Sequence, residues 1–215
     1  MYRAFLFLCF GLIFGFCDEG QPSAHLLSRR VVLVEQDAPP AHYVIELFRR
    51  AKISGGVEEV LNGCSALPSE HFPKSDATVE SALRVLNAST RRYKWKETLG
   101  RLAVFSDTNT QSLLDVTVTQ YSYDRKKRRS AITLGVLALP EVRRRALELR
   151  LTQWTRGRGF AQINSEPSPG DIVTVRNIKL RDLLMRLSTD GEAWYYYQTS
   201  CGPDKSIYIL EWAAL

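Results

Sequence analysis

Side chains able to do chemistry are few and scattered in this 215-residue sequence. His25, His42 and His71 stand in three unlike contexts: a polar lead, an amphipathic stripe and a proline-punctuated loop. With Cys64 and Cys201 they form no zinc site of recognised spacing, and no phosphate loop, Gly-x-Ser-x-Gly elbow or His-Glu-x-x-His occurs. Asp115 and Asp182 would make a carboxylate pair only if folding brought them together, and charged flanks of a strand and a helix account for them. No catalytic, cofactor or metal residue is assigned. An enzyme survives as a reading only because active sites can assemble from dispersed residues.

Two features could serve binding instead. Residues 125–158 hold eleven cations, among them Arg125, Lys126, Lys127, Arg128, Arg129, Arg143, Arg144 and Arg145. Against them stand only Glu141 and Glu148, a net +9 that exceeds the whole chain's +6. This is either an anion, lipid-surface or acidic-partner patch, or a solvated helix face with its loop. In Trp194-Tyr195-Tyr196-Tyr197, strand alternation sends Tyr195 and Tyr197 to one face. That pair could stack on sugar or peptide, or cover a sheet. Cys64 and Cys201 each sit in a turn-like context, and an oxidising compartment would let them pair.

The compartment is read from the amino end. Met1-Tyr2-Arg3 precedes an apolar run over residues 4–16, and Cys17-Asp18-Glu19 turns abruptly polar. A run of about 13 residues is too short for a stable span and fits a secretory signal peptide over 1–17, cleaved before Asp18. A lipid anchor on Cys17 is the rival, opposed by Phe16 where a small residue is wanted. Past the leader no transmembrane span is expected, and export disfavours nucleic acid as partner. Residues 18–30 read as a flexible lead. At 45% hydrophobic and 24% charged, the remainder has enough apolar mass to fold rather than stay disordered.

The elements that would position these groups show an internal echo. Val79, Ala82, Leu83 and Leu86 recur about a hundred residues later as Leu180, Leu183, Leu184 and Leu187, an i, i+3, i+4, i+7 helix stripe both times. Each stripe leads into an aromatic strand, Tyr93-Lys94-Trp95 and then residues 194–197. Before the first stripe, residues 31–34 read as a buried strand, Pro39-Pro40 opens a helix striped by Tyr43, Val44, Leu47, Phe48 and Ala51, and residues 57–61 form a strand. Residues 102–105 pair back across a turn near Gly100. The later part repeats this order: a strand in 113–123, a helix over 130–149 interrupted at Pro140, strands at 160–163 and 172–175, the stripe helix, then strands at 193–198 and 207–212. The fold class expected is α+β: two tandem small βαβαββ modules with mixed sheets and helices packed on one face.

The segment Thr78-Val79-Glu80-Ser81-Ala82-Leu83, with Ala38-Pro39-Pro40 before it and Tyr93 to Val104 after it, resembles the short secretin and TonB N-terminus domain. The resemblance covers 31–107, with a weaker second copy over 112–215. There Lys179 and Arg181 replace the cap Thr78 and the acid Glu80, while Gly191 restores a glycine that Thr90 replaces in the first copy. It implies a non-catalytic periplasmic module that docks an envelope protein or senses a ligand. The alternative function is binding of an anionic wall or membrane polymer through 125–158.

Overall fold

A computed structural model describes residues 26–63, 68–107, 110–124, 129–153, 172–189, 191–200 and 206–215, with side chains of the third helix described from 132. The chain is α+β. After a 3-10 turn (Leu26–Ser28), β1 (Arg30–Leu33) and β2 (Gln36–Ala38) lead to α1 (Pro40–Ala51), then β3 (Gly55–Leu61), β4 (Glu70–Phe72) and β5 (Ser75–Thr78). Next come α2 (Val79–Thr90), β6 (Tyr93–Thr98) and β7 (Arg101–Ser106). The C-terminal half holds a 3-10 turn (Leu113–Asp115), β8 (Thr117–Asp124), α3 (Arg129–Leu137), α4 (Pro140–Glu148), β9 (Thr152–Gln153), β10 (Ile172–Lys179), α5 (Leu180–Leu187), β11 (Glu192–Thr199) and β12 (Ile207–Ala214).

Local chemistry sets the helices. Pro40 begins α1, where a missing N–H costs nothing, and the stripe Tyr43, Val44, Leu47, Phe48 and Ala51 is buried. Lys52, left-handed at φ 52°, ends it. Thr78 caps α2, its hydroxyl accepting from the Ser81 N–H at 3.2 Å, and Val79, Ala82, Leu83 and Leu86 are buried. Pro140 divides the long helical stretch in two and opens α4. In α5, Leu180, Leu183, Leu184 and Leu187 are all buried, but Lys179 supplies no side-chain cap.

Strand pairing follows one scheme twice. β1 pairs antiparallel with β5, as β8 does with β10. The β6/β7 hairpin matches β11/β12, and the second strand of each runs parallel to an earlier one, β7 to β3 and β12 to β9. Even one bond recurs: the N–H of Val79 donates to Arg29 O, and that of Leu180 to Val116 O. The two sets then join, because β3 pairs in parallel with β11, giving a six-stranded sheet ordered β6-β7-β3-β11-β12-β9.

The join decides which face each helix covers. Val57, Leu102, Val104 and Ala193 pack with α1 and α2, while Val60, Ala103, Trp194, Tyr196 and Tyr208 pack with α3, α4 and α5. Each half's helices therefore lie on one side of its own strands, and the two sets occupy opposite faces of the common sheet. Trp194 sits at the centre, fully buried opposite Gly56 on β3. A Cβ on Gly56 would occupy the space of the Trp194 indole.

Several expectations need correction. Each stripe helix is preceded directly by a strand, β5 or the full length of β10, so the order is βαββαββ rather than βαβαββ, and β2/β4 is an added pair. Val32 and Val34 are exposed, because β1 lies in a two-stranded ribbon that covers only one face. Within the lead, Leu26 is buried, and the Arg29 guanidinium reaches the carbonyls of Ala51 and Lys52. Leu113 opens a 3-10 turn, and the strand begins at Thr117. The strand expected at 160–163 lies outside the described residues.

Candidate functional site

The centre of the sheet carries two adjacent acids, and strand alternation turns them to opposite faces. Glu58 and Glu59 on β3 are 2% and 3% exposed. Glu58 accepts two bonds from the Arg181 guanidinium of α5, Nε at 2.6 Å and Nη2 at 3.0 Å. Arg181 also pairs with Asp115 at 3.1 Å and lies 5.9 Å from the Phe105 ring centre. Burial alone would lower the Arg181 pKa, but its bonds to Glu58 and the charges of Glu58 and Asp115 outweigh that and raise it. The fork stays charged and ties the two halves together.

On the other face, Glu59 accepts from the phenol of Tyr93 at 2.6 Å and that of Tyr195 at 2.9 Å. Burial raises the Glu59 carboxyl above its ordinary range, and the two phenol bonds only partly oppose it. Both tyrosines are pushed up as well, first by burial and then by the adjacent carboxylate. Tyr93 belongs to the first half and Tyr195 to the second, so this carboxyl also joins the halves. Gln198 does the same for the chain between them: its Oε1 accepts from Leu113 N at 3.0 Å and Tyr196 Oη at 2.6 Å, and its Nε2 donates to Gln111 O at 2.8 Å.

An open cleft of about 660 Å³ lies elsewhere, lined by residues of the β6–β7 turn, the end of α5 and the β8/β10 ribbon. Neither Glu58 nor Glu59 reaches it. Among the described residues no group of three or more His, Cys, Asp or Glu side chains could hold a metal ion, and no helix is long and apolar enough to cross a membrane.

The outer edge of β6 is the other exposed feature: among the described residues no strand pairs with it. Leu99 and Gly100 between β6 and β7 have φ of 56° and 66°, the two-residue turn whose closing pair, Thr98 and Arg101, is hydrogen-bonded. Counting back by twos, Lys96 and Lys94 bond to β7 while the backbone groups of Trp95 and Glu97 point outward. The Tyr93 N–H, on the outward series, is already taken by the Asn87 side chain at 3.2 Å.

The residues singled out in the sequence are dispersed. Arg125, Lys126, Lys127 and Arg128 lie outside the described residues, and Arg129 begins α3 with no side chain described. Arg143 and Arg144 are exposed on α4, whereas Arg145 bonds Glu148 at 2.9 Å and Gln111 at 2.7 Å. Tyr195 and Tyr197 are half-buried with ring centres 6.4 Å apart, and Trp194 and Tyr196 are the fully buried pair. The Tyr195 hydroxyl is committed to Glu59. Asp115 faces Arg181, while Asp182 is exposed. His42 is exposed on α1, and His71 Nδ1 lies 3.0 Å from Asp37. Cys64 and Cys201 fall outside the described residues, but their flanks converge: Leu61 is the register partner of Thr199, and Ser200 N donates to Leu61 O. Sequence reasoning missed Glu58 and Glu59. Their signal was an acidic pair inside a strand whose other members are apolar.

No family model, curated protein or solved structure matches the chain.

Proposed function

We propose that the chain is an exported, non-catalytic protein-binding module of the bacterial periplasm, an adaptor or sensor that contacts an envelope protein by accepting a strand along β6. The unpaired outer edge of β6 carries this reading. A partner strand there would pair with the outward N–H and C=O groups of Trp95, and the exposed Lys96 beside it favours an acidic segment. The twice-used pairing scheme and the capped Thr78 segment support descent of both halves from a module similar to the short secretin and TonB N-terminus domain. The charged-then-apolar residues 1–17 support export, with the mature chain starting at Asp18. An oxidising compartment in turn supports a Cys64–Cys201 bridge, since Gly63 and Ser200 leave neighbouring parallel strands. Intact mass before and after reduction tests it: a 2 Da difference is expected, and free thiols in the exported chain would remove the bridge.

The test of the partner is a photo-crosslinking residue at position 96 in cells, with position 144 as control. A discrete adduct with one envelope protein is expected at 96, lost on Trp95→Pro, which removes an outward N–H without breaking a β6/β7 bond. No adduct at 96, or one indifferent to the proline in a folded variant, overturns strand addition. The exposed Arg143 and Arg144 support the second reading, binding of an anionic polymer or lipid surface. Retention on anionic vesicles that falls steeply with salt and with Arg143→Gln/Arg144→Gln would favour it over the first.

A further inference from the structure

We propose that the cleft between the β6–β7 turn, the end of α5 and the β8/β10 ribbon binds a small amphipathic carboxylate. Its volume of about 660 Å³ falls within the ~300–1,000 Å³ of small-molecule sites. The lining divides by chemistry. Tyr123 and its register partner Val173 share one face of the ribbon with Val175, and Leu187 closes that apolar side from α5. Arg101 and Arg186 supply the charge, and among the described residues no aspartate or glutamate lines the cleft.

Arg101 is held in place before any ligand arrives. Its Nε donates to Ser188 O at 3.0 Å and its Nη1 to Leu99 O at 3.3 Å. These use two of the five N–H groups of its guanidinium. Arg186 is exposed on the last turn of α5. The nearby Glu192 is engaged by the Thr189 hydroxyl and N–H. A carboxylate fits a guanidinium fork, and an alkyl or aryl body fits the valines, tyrosine and leucine. An organic cation is repelled, and a neutral amphiphile gains only the apolar half. A polyanion would use little of that apolar wall. The site brings together Arg101 and Leu99 of the first half with α5 and the ribbon of the second, so an occupant contacts both.

Titration calorimetry of the full mature chain with dodecanoate, below its micelle concentration, tests this. Saturable one-to-one binding is expected, with none for dodecyltrimethylammonium. Arg186→Glu should weaken it by about tenfold or more, and Val173→Trp should abolish it by filling the cleft. Equal binding of the cation, no saturable binding of dodecanoate, or unchanged affinity in Arg186→Glu would each overturn the proposal. The exposed Arg186 decides the matter even where Val173→Trp does not fold. The β6 crosslink should be unmoved by Arg186→Glu, so the two sites fail separately.

Discussion

Glu80 and Arg181 hold the same place in the two stripe helices, one residue after the first buried position, and do unlike work. Glu80 pairs with Arg84 one turn along α2, at 2.7 Å, with Arg84 largely and Glu80 partly in water. Arg181 leaves its helix to grip Glu58 on the other half's central strand. A solvated helix pair is worth about 0.3–0.5 kcal/mol, whereas breaking a buried pair costs roughly 3–5 kcal/mol because a charge is stranded. The caps differ in the same sense: α2 has Thr78, and α5 has none. The first helix is fixed by its own neighbours in sequence, and the second is fixed by the half it packs against.

The largest expected effect comes from stranding Glu58. Arg181→Met should destabilise the chain by roughly 3 kcal/mol or more in urea unfolding, and adding Glu58→Gln should return much of that. A double-mutant cycle with no coupling would remove Arg181 as the tie. Next, Gly56→Val should cost about 1–3 kcal/mol by overpacking against Trp194, read together with a shift in tryptophan fluorescence. An unperturbed tryptophan would mean that the join tolerates a side chain there. Cap exchange comes third: Thr78→Ala should lose about 1 kcal/mol, and Lys179→Thr should gain up to about 1 kcal/mol by giving α5 the missing acceptor. Equal and opposite changes would bring the halves to parity.

The pH effect at Glu59 is subtler, and its sign is definite. Its folded pKa is raised from 4.5 by burial, so between 4.5 and that raised value the folded chain binds more proton than the unfolded one. Stability conferred by the protonated carboxyl is complete below that window and falls as pH rises through it. Glu59→Gln should flatten this part of the stability–pH curve, measured by thermal melts across pH 4–8, and an unchanged slope would assign it to other groups. Smallest of all, Glu80→Gln should move stability by no more than about 0.5 kcal/mol.

How much of this was legible in the sequence follows the same divide. Wherever residues close in sequence decide the outcome, the reading was direct: Pro40 and its stripe, the two leucine-rich stripes, the break at Pro140 and both hairpins. β5 was missed because Ser75-Asp76-Ala77-Thr78 has no apolar alternation, and it is a strand only because β1 pairs with it. The sheet shared by the halves was missed for a related reason. Nothing in Gly55–Leu61 names Ala193–Thr199 as its neighbour, although its two acids and two glycines at a sheet centre now have partners that explain them. Hydrogen bonding across 34 to 136 residues, as at Glu59, leaves no periodic trace.

The place of β3 also bears on how the chain is made. It lies between β7 and β11 and is parallel to both, yet β11 is synthesised long after β3, with β4 to β10 in between. Until then a nascent chain carries β3 with an open flank and Gly56 without its indole lid. Such a polypeptide benefits from a holding chaperone while it is short, and it commits to its final form only once β11 arrives.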